Sequence, residues 1–91
     1  MKVIKIGAEW CSGCIVMKPR WVEVEKAQPW LKSEYYDFDK DKKEISKYKA
    51  ENEDRLPVFI FLDKKGEEFL RLHGEITVKR LLEIVIKNKN K

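Results

Sequence analysis

Trp10-Cys11-Ser12-Gly13-Cys14 is the stretch on which the reading of this chain turns. Two cysteines three positions apart follow Lys2–Ile6, which alternates weakly around Val3, Ile4 and Ile6 and reads as a buried strand. They lead into Cys14–Ala27, where Met17, Trp21 and Val24 recur at helical spacing. The pair therefore sits between a strand and the start of a helix. Unpaired N–H groups and a partial positive charge gather at a helix start. Both favour a thiolate, so Cys11 is expected to ionise below the free thiol's value of about 8.5. Only a thiolate attacks a disulfide. Cys14 lies a turn further in and is expected to be more buried and to keep its proton. Cys11 then attacks, and Cys14 resolves the mixed disulfide.

Outward from the motif, the chain alternates strands and helices. Pro19 falls inside the first helix, where it removes a hydrogen bond, and Gln28-Pro29 closes that helix. Ser33–Asp39, with Tyr35, Tyr36 and Phe38, reads as a second strand. Asp41–Asn52 is charged, with a thin stripe of Ile45 and Tyr48, and reads as a surface helix. Val58–Leu62 is the longest unbroken apolar run and predicts a strand buried on both faces. Asp63-Lys64-Lys65-Gly66 is a turn, and Glu67–Leu72 returns as the partner strand. Thr77 is the expected N-cap of a last helix over Val78–Ile86, with Val78, Leu81, Leu82 and Val85 inward. The order β-α-β-α-β-β-α predicts an α/β fold: a four-stranded mixed sheet flanked by helices on both faces. It forms one domain, 1–87, with a basic tail, 88–91.

Composition narrows the function classes. The chain has 91 residues, 43% of them hydrophobic and 40% charged, enough for one core. Two cysteines are too few for a disulfide-stapled scaffold. No run approaches the ~20 apolar residues of a membrane span, and Lys5 interrupts any signal-like stretch, so the expectation is a soluble cytoplasmic protein. The net charge of +4 owes three positive charges to Lys87-Asn88-Lys89-Asn90-Lys91, a solubilising tail expected to fray, not a nucleic-acid face. A zinc site needs about four ligands; two thiols supply half, and His73 is the only histidine. Redox chemistry is favoured over a metal site.

The motif and its surroundings resemble the thioredoxin family. Ala8-Glu9-Trp10-Cys11 matches the family's approach to the site, and Pro19 lies five residues after Cys14, where the family kinks its helix. Phe38-Asp39 resembles the end of the central strand, Leu56-Pro57 a cis-proline loop, and Gly66 and His73-Gly74 the hairpin turn and last loop. The likeness runs from about Val3 to Lys87, without the first strand and helix of typical thioredoxins; the size is closer to glutaredoxins. It implies a redox-active Cys11–Cys14 disulfide, no separate cofactor, protein disulfides as substrates and a flavoprotein of the thioredoxin-reductase kind as electron donor. A monomer is expected, with no nucleic-acid or membrane partner. The implied substrate groove comprises Trp10, Ser12, Gly13, Ile15, Leu56, Pro57, His73 and Gly74, with Pro57 cis.

Four positions depart from the family. Ser12-Gly13 stands where Gly-Pro is usual, Lys5 where a buried aspartate serves the second cysteine, Ile15 where a polar residue is common, and Gly7 where an aromatic is common. Lys5 is expected to be a salt-paired structural residue, with Asp37 or Asp39 as partner. Trp10 suits packing and substrate contact equally, and His73 is a loop residue before it is a catalyst. A glutaredoxin-like reductant would carry Thr-Val before the proline and a Gly-Gly pair, and neither is present. A thioredoxin-like binding module with idle cysteines is the remaining alternative.

Overall fold

The computed structural model describes all residues, 1–91. Period-two alternation in the first strand, β1 (Lys2–Gly7), organises the molecule. Val3 and Lys5 point to one side of the sheet, and Ile4 and Ile6 to the other. On the first side, Val3 joins Phe59 and Phe61 of β3 (Val58–Leu62) under two helices, α1 (Ser12–Ala27) and α3 (Val78–Lys87). Met17, Trp21 and Val24 of α1 and Leu81, Ile84 and Val85 of α3 close this layer. On the second side, Ile4, Ile6, Val58, Ile60 and Leu62 pack under Ile45 of the short helix α2 (Lys42–Lys47) and Ala50 beyond it. β3 is thus buried at every position, which its unbroken apolar sequence requires. Helices lie on both faces, as the sequence predicts, but divided two to one.

The four strands run in the order β2-β1-β3-β4, with β2 at Lys32–Asp37 and β4 at Glu68–His73. β1 pairs parallel with β2 through the α1 crossover and antiparallel with β3, and β3 pairs antiparallel with β4. Gly66, at φ 82°, makes the β3–β4 turn that no branched side chain would enter. Thr77 caps α3 as expected, its hydroxyl accepting from Arg80 N at 3.1 Å.

Several boundaries differ from expectation for local reasons. β2 ends at Asp37, not Asp39, because its carboxylate turns back to accept from the backbone N–H groups of Asp39 and Lys40. α2 ends at Lys47, not Asn52: Lys49 adopts φ 56° and Ala50 is pulled into the core. Ile84 joins Leu81 and Val85 as a fully inward residue of α3, whereas Val78 and Leu82, also expected inward, are only partly buried. The closing residues do not project from the body. Lys64 N donates to the Lys91 carbonyl, and the Lys89 and Lys91 ammonium groups lie over the Trp30 and Phe69 rings. No helix is long and apolar enough to cross a membrane.

Candidate active site

The site forms where β1 ends and α1 begins. Gly7 and Ala8 lead out of the sheet, and Cys11 N donates back to Ala8 O at 3.2 Å, closing the approach loop. Cys11 is the N-cap of α1 in extended conformation, and its Sγ accepts from Cys14 N at 3.1 Å. The helix thus begins two residues before its expected start, because the first cysteine itself caps it. That hydrogen bond places the Cys11 sulfur at the positive end of the helix, the position in which a thiolate is best stabilised. The two sulfurs are joined as a disulfide.

In this oxidised form Cys11 is 7% exposed and Cys14 6%, so burial does not separate them as the sequence suggests. Their surroundings do. Around Cys11 lie the exposed residues Trp10, Ser12 and Ile15. Cys14 instead faces inward, onto a cavity of about 360 Å³ that Lys5, Gly7, Trp21, Glu25, Tyr35 and Pro57 help to line.

Pro57 follows a cis peptide bond and comes directly against the motif. A side chain on Gly13 would begin 3.3 Å from Pro57 Cδ, so the bare Gly13 allows the proline to approach. Gly74 N donates to Pro57 O at 2.8 Å, which ties the loop after β4 to the proline. The structure therefore brings together Gly13, Pro57 and Gly74, with Leu56 packed against the small cluster of Ala8, Cys11 and Cys14. Arg55 lies across Gly74, and Glu75 lies within ordinary contact of Gly13. Neither residue carries a motif that would have marked it from the sequence.

Trp10 is 67% exposed, yet it is not free: its indole N–H donates to Asp39 Oδ2 at 2.7 Å. Asp39 is presented by the turn that Asp37 and Asp41 build, and Lys40 of the same turn pairs with Glu9 at 2.9 Å. The β2–α2 turn thus holds the residues just before Cys11 from the side.

His73 follows a different course. Its ring meets Glu53 Oε2 at 2.7 Å, and Glu53 Oε1 accepts from Arg71 at 2.9 Å. Arg71 also makes two bonds to Glu68 and one each to the carbonyls of Tyr48 and Lys49. Burial alone would raise the Glu53 pKa, but hydrogen bonds from Arg71 and His73 outweigh it and hold the carboxyl below its ordinary range. This network anchors the segment from which Leu56 and Pro57 emerge. A sequence reading that took His73 as a groove residue and passed over Glu53 and Arg71 had only scattered charges to work from.

Lys5 is salt-paired, but with Glu25 of α1 at 3.0 Å, not with Asp37 or Asp39. Asp37 is occupied by its turn and Asp39 by Trp10, while α1 passes over the face to which Lys5 points. The ammonium also lies 5.4 Å from the centre of the Trp21 ring.

The family model described as thioredoxin matches residues 1–85. No curated protein matches the sequence. Among solved structures, a malaria-parasite thioredoxin-2 is 21% identical, with a TM-score of 0.82 over 94% of this chain and 81% of its own. The Fasciola hepatica thioredoxin is 25% identical, with a TM-score of 0.81 over 96% of this chain and 79% of its own. The oxidised mitochondrial thioredoxin 3 of Saccharomyces cerevisiae is 21% identical, with a TM-score of 0.78 over 94% and 76%. A family match over nearly the whole length, a thioredoxin-like fold and a Cys11–Cys14 disulfide at the start of α1 agree: the chain belongs to the thioredoxin family.

Proposed function

We propose that the protein is a thiol–disulfide oxidoreductase that reduces disulfides in other proteins. The observation that carries this reading is Cys11 Sγ at the helix cap, accepting from Cys14 N, with cis-Pro57 set against the same turn. In the dithiol form, the Cys11 thiolate attacks a target disulfide and forms a mixed disulfide, releasing one target sulfur as a thiolate that takes up a proton. Cys14 then loses its proton and attacks Cys11 Sγ. The second target sulfur leaves, and the Cys11–Cys14 disulfide forms. Two electrons pass to the target, and a flavoprotein reductase of the thioredoxin-reductase kind would return them.

Trp10, Ser12, Gly13, Ile15, Leu56, Pro57 and Gly74 are the proposed substrate surface, with His73 supporting it through Glu53. Exposed Trp10 and Ile15 give a target an apolar landing beside the sulfur. We also propose a monomer in the cytoplasm; both cysteines lie in one redox pair and none in a structural bridge, which fits a reducing compartment.

A Cys11→Ser variant is expected to lose insulin-disulfide reduction to the uncatalysed background. Reduction at the parent's rate would overturn the proposal. The exposed apolar patch also favours a docking module with an idle disulfide. A redox titration separates the two: a reversible two-electron couple in the range of cellular dithiols supports the enzyme, and a pair that neither opens nor closes there supports the module.

A further inference from the structure

Gly7 leaves an opening beside the inner cysteine, and one side chain reaches into it. In the parallel pairing of β1 with β2, Tyr35 is the partner of Lys5, so its ring lies on the face covered by α1. Gly7 follows two residues along the same face and offers no side chain. The phenol lies across that gap. The point at which a Gly7 Cβ would sit is 3.0 Å from Cys14 Sγ and 3.1 Å from Tyr35 Oη. Hydroxyl and sulfur are therefore no farther apart than about 6 Å, a span that one water bridges. Both line the same cavity of about 360 Å³, which has room for that water. The Tyr35 hydroxyl has no hydrogen-bond partner in the protein; elsewhere on the cavity wall Lys5 and Glu25 are bonded to each other, Lys18 is exposed, and the buried Trp21 indole N–H has no partner.

We propose that Tyr35 is a positioning residue for Cys14: its hydroxyl, acting through a bridging water, stabilises the resolving thiolate. The inference rests on the oxidoreductase reading and deepens it. When the mixed disulfide has formed, the Cys14 S–H proton passes to solvent. The electron pair left on sulfur accepts a hydrogen bond from the water, which in turn accepts from Tyr35 O–H. The thiolate then attacks Cys11 Sγ, and the departing target thiolate takes a proton from solvent. Tyr35 stays neutral throughout, because burial first, and then the charges of Asp37, Asp41 and Glu9, raise its pKa above the ordinary value, against the opposing effect of Lys40. From the other elements, Lys5 of β1 and Lys18 and Glu25 of α1 face the cavity, while β3 contributes only Phe59 after Pro57. Lys5 is held by Glu25, and the Tyr35 hydroxyl is the polar group that lies with Cys14 Sγ at the Gly7 gap, where it can respond to a new charge on that sulfur.

The test uses the full chain carrying Cys11→Ser, so that Cys14 is the sole thiol, with and without Tyr35→Phe. Alkylation of Cys14 by iodoacetamide is followed from about pH 5 to about pH 10. Loss of the hydroxyl is expected to move the midpoint of the profile up by about one unit, so that roughly tenfold less thiolate forms at neutral pH. Tyr36→Phe, on the opposite side of the strand against Tyr48, is expected to leave the profile in place. Both variants should keep the parent's circular dichroism. An unmoved profile in Tyr35→Phe, or an equal shift in Tyr36→Phe, overturns the proposal. In the chain with both cysteines, Tyr35→Phe should prolong the mixed disulfide about tenfold at neutral pH and leave the pH dependence of the first attack unchanged. If the parent fails to reduce insulin while the Cys14 profile still moves, the oxidoreductase reading falls and the coupling of Tyr35 to Cys14 stands.

Discussion

Replacing Glu53 by Gln removes one charge from the anchor beneath the proline loop and keeps the shape. Glu53 Oε1 accepts from Arg71 at 2.9 Å and Oε2 meets His73 at 2.7 Å, in side chains only 19% exposed for Glu53 and 18% for Arg71. Exposed ion pairs contribute under about 1 kcal/mol, and breaking a fully buried one costs about 3–5 kcal/mol. A pair about one-fifth exposed falls between them, and Arg71 retains Glu68, which favours the lower part of that interval. We expect a loss of about 2 kcal/mol at neutral pH, or about 12 °C in Tm for a domain of this size. The sign of the pH dependence follows from the Glu53 pKa, which lies below its ordinary 4.5 in the folded protein. The pair is fully stabilising above the unfolded value and is lost as the pH falls through the folded one. The gap between parent and Glu53→Gln should therefore close progressively below pH 4.5. Thermal melts followed by circular dichroism across that range measure it. A neutral-pH gap below about 0.5 kcal/mol, or a full gap that persists in strong acid, would refute the account.

Two further outcomes follow from close approaches at the site. Gly7→Ala sets a methyl group 3.0 Å from Cys14 Sγ and 3.1 Å from Tyr35 Oη, so urea unfolding should show a loss of about 1–3 kcal/mol from overpacking, and an unchanged midpoint would count against this geometry. Gly74→Ala forces a side chain into φ 81° and against Arg55, and should destabilise by about 1–2 kcal/mol while weakening target binding through the bond from Gly74 N to Pro57 O; wild-type stability would show that the loop relaxes without cost.

Much of the fold was legible because local signals agreed. The apolar run at Val58–Leu62, the turn at Gly66 and the cap at Thr77 each state one structure, and each is found in place. The cysteine pair was legible for the same reason, since its spacing and its place before a helical pattern carry the chemistry. What escaped was assembled by the tertiary fold. Glu25 partners Lys5 across twenty residues because α1 folds back over β1, and no short-range pattern announces that. Glu53 and Arg71 looked like ordinary surface charges, and only the β3–β4 hairpin brings them together. Tyr35 looked like a strand residue like any other. Its interest comes from the absence of a side chain at Gly7, which is distant in sequence and comes beside Tyr35 only once the parallel register is set. α2 was overextended because its charges continue past Lys47, while the backbone reverses at Lys49.

The place of β1 in the sheet has a consequence for how the chain is made. It precedes the other three strands in the chain and lies in the interior of the sheet, between β2 and β3. Its Lys2 pairs with Leu62, so one edge of β1 has no partner until β3 has been made. At translation rates of about 5–20 residues per second, that edge waits about 3–12 s for β3. Through that interval an apolar ribbon and two thiols are present without the layer that covers them. Substitutions in β3 would then act during this interval as well as on the finished fold, in which every residue of the strand is buried.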